Sequence, residues 1–319
     1  MWFVQDTIVQ PRETPYFAPP EECRNCPYAT PCVTPPPTGQ KGPKIAPAIA
    51  FDCVYRGLVP QGSIRRMLED LQAQVRAAAD ARYGPGSGAT LTGGLQNVRG
   101  EWLEYILGVI FWNTVAASTF KNTAIVRLPN AAQLRFHDLY EPQARGYLVE
   151  LFDSLREHDI QLIMSNPDFI CVSGLPDSLG ENLRTPLTMG QASVATLEMA
   201  YENIRGHCHA GSIPFALTVK SSVRPDRRYQ IVHEANVVKA LVAHLASRFW
   251  KGDLYIAFYA MVASHVSDSD REVFRNPATH TLVHVSWTPA PLVDKVFEID
   301  SAEEVMGIIS DLLESHLGQ

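Results

Sequence analysis

No uninterrupted apolar stretch in this chain reaches the length of a membrane span, and Met1 to Gln10 lacks the basic start and apolar run of a secretory leader. A soluble, cytoplasmic protein is the expectation. Basic charge is scarce as well, since 27 Lys and Arg against 34 Asp and Glu leave a formal net charge of -7. That average excludes a uniformly basic surface of the kind that binds nucleic acid through phosphates. It leaves room for a local basic cleft beside acidic metal ligands, which themselves lower the net charge. No internal repeat is present. What the chain does have is apolar side chains, 46% against 19% charged, enough for a substantial core in 319 residues.

Proline punctuates the start of the chain: Pro11, Pro15, Pro19, Pro20, Pro27, Pro31, Pro35, Pro36 and Pro37 break any helix or central strand there. Residues 1–60 therefore read as a proline-rich arm, and residues 61–319 as a single domain. Ser63 is a plausible N-cap for an amphipathic helix through Ala79, with Ile64, Met67, Leu68, Leu71 and Val75 at helical spacing. After a Gly-rich linker from Tyr83 to Gly94, residues Asn97 to Ala117 are apolar nearly all round, as in a buried helix.

Strands are predicted near 124–127, 161–164, 169–172, 214–220, 254–262 and 281–287. Helices are predicted near 142–157, 191–204, 226–249 and 302–316. This alternation implies an α/β (α+β) fold, a central mixed β-sheet flanked by helices.

The chemistry is concentrated in two segments. Asp168 follows Pro167 at the mouth of a strand (SNPDFICV), and Lys220 closes a later apolar strand (IPFALTVK). Taken singly, an Asp after Pro is a common turn former and a Lys at a strand end a common solvated terminus. Together at one sheet edge, a carboxylate can hold Mg²⁺ while a lysine orients the attacking water and offsets phosphate charge. The chain then reads KSSVRPDRRYQIVHE, which puts Arg224, Asp226 and Arg227 at a helix start and Glu234 two turns on. Arginine forks suit guanine O6 and N7, and a carboxylate suits cytosine N4, so this cluster can read adjacent C·G pairs in the major groove. An Arg–Asp cluster capping the helix is the plainer alternative.

The spacing K-x3-R-x-D-R-x6-E, preceded by Pro-Asp, resembles the CCGG family of type II restriction endonucleases, in which NgoMIV is found, a variant of the PD-(D/E)xK nuclease superfamily. The resemblance covers about Arg99 to Arg248. It implies a restriction-endonuclease-like core, with Asp168, Lys220 and Glu234 catalytic, Asp168 and Glu234 holding Mg²⁺, and Arg224, Asp226 and Arg227 reading DNA. Thr218 stands where the general pattern has an acidic residue, and Glu234 supplies that carboxylate from the helix, as in this family. Pro225 stands where the family usually has Ser. A further catalytic carboxylate is implied from the helix VRGEWLEYI, with Glu104 favoured over Glu101.

The resemblance implies Mg²⁺-dependent cleavage of both strands of DNA at a palindrome with a CCGG or CCNGG core, leaving 5′-phosphate ends. It further implies a homodimer, with a tetramer as the larger alternative, and a cognate DNA methyltransferase as genetic partner. Two other readings share these residues: a structure-specific or repair nuclease whose arginines grip phosphate, and a non-enzymatic DNA-binding protein with a Lys220–Glu234 salt bridge. Asp226 between two arginines favours base reading, because a phosphate clamp gains nothing from a carboxylate.

Cys23, Cys26 and Cys32 in ECRNCPYATPC, with Cys53 further on, form a cluster whose C-x2-C half suits a structural metal. No second C-x2-C or H-x3-H follows closely. The alternatives are a bound metal, Zn²⁺ ahead of iron–sulfur, or free thiols in a loop. Cys171 and Cys208 read as structural.

Overall fold

In a computed structural model the described residues are 13–36, 43–252, 254–282 and 288–318. They form two compact units, one of residues 1–109 with 187–195 and the other of residues 110–186 with 196–319.

In the first unit, proline opens helices. Helix α1 (Pro20–Arg24) and helix α2 (Pro47–Tyr55) each begin on a proline, where its fixed φ fits a helix and its missing N–H is not needed. The arm is therefore less irregular than its composition predicts. Two short antiparallel strands, β1 (Val33–Thr34) and β2 (Lys44–Ile45), lie between these helices. Helix α3 (Ile64–Tyr83) is capped by Ser63, whose side chain accepts from the Arg66 amide, and it ends at Gly84 with φ +96. α1 and α2 pack on α3 through its predicted apolar stripe. Tyr55 crosses that interface, its hydroxyl donating to Asp70 at 3.2 Å. Helix α4 (Thr92–Ala117) begins five residues before the predicted start and contributes residues to both units.

The second unit is built on a five-stranded mixed sheet, in agreement with the predicted fold class. Strands β3 (Thr123–Arg127), β4 (Phe169–Ser173), β5 (Phe215–Lys220), β6 (Ala257–Val262) and β7 (Lys295–Glu298) lie side by side in chain order. β3, β4 and β5 pair antiparallel, whereas β5, β6 and β7 pair parallel. Every residue of β5 and β6 is buried, as expected of central strands covered on both faces. Helix α5 (Pro142–Glu157) follows β3, and α6 (Asp177–Asn182) and α7 (Gln191–Ile204) lie between β4 and β5. Helix α8 (Pro225–Arg248) makes the crossover from β5 to β6 that a parallel pair requires. It packs on α5 and β6.

The predicted strand at 161–164 is absent: that stretch has no regular structure, and Ile163 is exposed. Of the predicted strand at 281–287, residues 283–287 lie outside the described residues, and 281–282 end a 3₁₀ turn. Helix α9 (Asp268–Phe274) and strand β7 are short elements without a sequence prediction, and α10 (Ala302–Leu317) closes the unit as predicted. Among the described residues, no helix is long and apolar enough to cross a membrane.

A buried lysine holds α8 in place. The Lys239 ammonium, 1% exposed, donates to Asp294 Oδ2 at 2.7 Å, to the Pro291 carbonyl at 2.7 Å and to the Tyr255 hydroxyl at 2.9 Å. Asp294 also accepts from the Phe258 amide of β6 at 2.7 Å. Removing one partner of such a pair strands the other charge without water. Asp294→Ala is therefore expected to cost roughly 3–5 kcal/mol in urea unfolding, with part of the loss recovered when Lys239→Met is added. A small loss unaffected by the second change would contradict this role.

Candidate active site

The antiparallel pairing of β4 and β5 sets the site. Phe169 lies opposite Leu217, so the residue just before β4 meets the end of β5. The Asp168 carboxylate oxygen Oδ2 accepts from the Lys220 ammonium at 2.8 Å, the Val219 amide at 2.7 Å and the Thr218 hydroxyl at 3.0 Å. Thr218, at the position where the general nuclease pattern has an acid, is fully buried and serves Asp168 as a donor. The backbone of Asp168 is fixed too, its carbonyl accepting from the Leu128 amide at 2.9 Å.

Asn166 explains why the lead-in is not a strand. Its side-chain amide donates to the Pro129 and Leu134 carbonyls, both at 2.8 Å. Pro167 has no N–H for a ladder. A side chain therefore supplies the hydrogen bonds that hold SNPD in place.

Glu234 comes from α8. Ile231, Ala235, Val238, Leu241, Val242 and Leu245 are buried along one helical face, and Glu234, 1% exposed, occupies a position within that apolar stripe. A carboxylate there gains nothing from hydrophobic packing and loses its water. Its Oε1 accepts from the Gln230 side-chain amide at 2.9 Å and the Ser165 hydroxyl at 3.2 Å, whereas Oε2 is buried with no hydrogen-bond partner among the described residues. Burial raises the pKa of Glu234 to about 7; the Lys220 charge opposes the shift and the Asp168 charge adds to it.

The expected readers sit at the start of α8. Arg224 is its N-cap and Pro225 its first residue. Arg224 and Asp226 are exposed and Arg227 is half-exposed, with Arg224 donating to Asp226 at 3.2 Å and the Arg227 guanidinium 4.0 Å from the same carboxylate. The adjacent Arg228 turns elsewhere and pairs with Asp270. Asp270 is also the third helical residue in the Ser267 capping box of α9. Thus the second arginine of the Arg-Arg pair anchors α8 to α9 while the first stays accessible.

Sequence reasoning missed Asn166, Ser165, Arg228 and Gln230. Only the Gln230–Glu234 spacing of one helical turn was visible as a signal. The two carboxylates proposed from α4, Glu101 and Glu104, are both half-buried within the first unit, and Glu101 lies 3.5 Å from the Tyr105 hydroxyl.

Of the alternatives for the cysteine cluster, the Zn²⁺ one finds no support. Cys23, Cys26, Cys32 and Cys53 do line one small cavity of the first unit. Among the described residues, however, no three or more His, Cys, Asp or Glu side chains are grouped so that they could hold a metal ion. Cys23 instead donates to the Ala18 carbonyl at 3.5 Å, and burial raises the Cys32 thiol to about 12. The four behave as packed thiols. Cys171 and Cys208 are fully buried, as expected of structural residues.

Because the Asn166 amide satisfies two carbonyls at once, Asn166→Ala is expected to lower unfolding free energy by about 1–3 kcal/mol. A thermal-melt series on the full chain, with Ser165→Ala as the milder neighbour, checks this. Equal stability of the Asn166→Ala and wild-type proteins would contradict the role given to its amide.

Comparison with known proteins fits this geometry. The family model described as Cfr10I/Bse634I restriction endonuclease matches residues 43–315. The chain is 29% identical over 229 residues to the type II restriction enzyme Cfr10I of Citrobacter freundii, covering 70% of this chain and 79% of that enzyme. A crystal structure of the type IIF restriction endonuclease Bse634I with cognate DNA superposes with a TM-score of 0.80 at 28% identity, covering 89% of this chain and 98% of that one. A second Bse634I structure gives 0.79 at 29% identity, over 88% and 97%. These matches name the Cfr10I/Bse634I family and do not by themselves establish the CCGG specificity that the NgoMIV-like resemblance implies. With its model matched over nearly the whole length, the chain belongs to the Cfr10I/Bse634I restriction endonuclease family, the DNA-cutting enzymes of type II restriction.

Proposed function

We propose that this enzyme is a Mg²⁺-dependent endonuclease that cuts both strands of DNA at a palindrome built on CCGG, or on CC and GG separated by one base, leaving 5′-phosphate ends. The observation that carries this reading is the position of Asp168, Lys220 and Glu234 around one β-sheet edge, with Arg224, Asp226 and Arg227 at the start of the helix that supplies Glu234. The proposed cutting residues Asp168, Lys220 and Glu234 and the proposed reading residues Arg224, Asp226 and Arg227 then all lie in the second unit.

The residues fit a divalent cation. Glu234 Oε2 is a buried oxygen without a partner, and Asp168 and Glu234 carry the hard oxygen donors that Mg²⁺ takes. When bound, Mg²⁺ supplies positive charge to the reacting phosphate. Lys220, held by Asp168, offsets phosphate charge and orients the attacking water.

Base reading falls to Arg224 and Arg227 as donors to guanine and Asp226 as acceptor from cytosine. The exposed Arg224–Asp226 contact keeps donor and acceptor side by side for adjacent base pairs. A palindrome read this way calls for a homodimer, or a tetramer made of two, with double-stranded DNA as partner and a cognate methyltransferase as genetic companion.

Lys220→Ala and Asp168→Ala are expected to abolish cleavage while leaving specific DNA binding largely intact, as gel shift and digestion on the same oligonucleotide will show. Lost binding in a folded variant contradicts these roles. Arg227→Ala is expected to weaken cognate binding by about 1–3 kcal/mol, and an equal loss on every sequence would mean that Arg227 holds phosphate only.

A further inference from the structure

We propose that Gln230 is a positioning residue that ties the base-reading Arg227 to the metal-binding carboxylate of Glu234, an inference that rests on the roles proposed above for those two residues. Arg227, Gln230 and Glu234 are three and then four residues apart on α8, so they share one helical face. The Arg227 guanidinium donates to Gln230 Oε1 at 3.0 Å, and Gln230 Nε2 donates to Glu234 Oε1 at 2.9 Å. Only this amide orientation serves both neighbours. Turned over, its NH₂ would face the guanidinium and its oxygen the carboxylate, placing like poles together at both ends.

The consequence for Glu234 is geometric. Ser165 and Gln230 both donate to Oε1, which fixes the carboxylate plane, and the partnerless buried Oε2 is left for a cation. Partners of this kind around a metal ligand commonly set metal affinity by about 10–100-fold. Ser165 comes from the lead-in to Asp168 and is independent of the readers. Gln230 links Glu234 to Arg227, the side chain proposed to turn to a base when DNA binds. When Arg227 turns to a guanine, it reorients or releases the Gln230 amide, and the hold on Glu234 responds. A wrong base leaves Arg227 on Gln230. The relay thus gives the cleavage site information about the base pair under Arg227.

The test is a double-mutant cycle of Arg227→Ala and Gln230→Ala in the full-length protein, with thermal melts to confirm folding and Gln230→Glu as a further variant. Two quantities are read: the Mg²⁺ concentration for half-maximal single-turnover cleavage, and the ratio of cognate to one-base-mismatched DNA binding by gel shift with Ca²⁺ replacing Mg²⁺. Gln230→Ala is expected to raise the Mg²⁺ requirement about tenfold and to shrink the Ca²⁺-dependent part of the binding ratio. In the Arg227→Ala background the same change is expected to add little. Gln230→Glu, which sets a second carboxylate against Glu234, is expected to change the Mg²⁺ requirement in a way that a purely structural role would not. A wild-type enzyme indifferent to divalent cations removes the metal-site reading and the relay with it. A wild type that responds to Mg²⁺, with Gln230→Ala following the same curve or with losses adding independently, overturns the relay alone.

Discussion

The Asp168–Lys220 contact is the constraint on which the rest of this site depends. A carboxylate and an ammonium, both largely withdrawn from water, meet where β4 begins and β5 ends. Taking such a pair out of water costs free energy that its attraction repays only with good geometry and further hydrogen bonds. Those bonds come from the Val219 amide and the Thr218 hydroxyl. The antiparallel register therefore has to be the observed one, because a shift of one residue would send Lys220 to the other face of the sheet. A fold selected for stability alone could fill these positions with apolar side chains.

Glu234 adds a second expense of the same kind. It stands in the apolar stripe of α8, and burial raises its pKa. With Lys220 as the named positive neighbour and Asp168 as the negative one, the group holds more negative than positive charge, and a cation brought to Oε2 would relieve the imbalance. Keeping α8 in register with the sheet then matters as much as the acids themselves. Lys239–Asp294 and Arg228–Asp270 secure it at different points along its length, and both use ion pairs away from the reacting groups. On the proposed assignment, the helix that opens on the base-reading residues is also the helix that carries Glu234.

Much of this was legible because the chain states it locally. Asp168 and Lys220 stand at ends of apolar runs, and Arg224, Asp226, Arg227 and Glu234 share one helix, so order and spacing suffice to assemble them. The errors have equally local causes. QLIM at 161–164 looks like a strand, but Ile163 is exposed and the following Asn166 and Pro167 replace ladder bonds with side-chain ones. Pro20 reads as a helix breaker yet opens α1, and Pro47 likewise opens α2. What the sequence could not disclose is contact between distant segments: Ser165 is 69 residues from Glu234, and Arg228 reaches Asp270 on another helix. The cysteines show the opposite failure, where a familiar spacing gathers four side chains around one cavity without forming a metal-binding group.

Digesting a plasmid of known sequence with the purified full-length protein and Mg²⁺, and then sequencing the ends, shows whether one β-sheet edge and the helix beside it both choose a DNA sequence and cut it. Discrete double-strand cuts with 5′-phosphate ends are expected, at sites that all share CC and GG in a palindrome. Ragged cutting, or cuts that follow DNA structure and share no such core, would contradict this expectation.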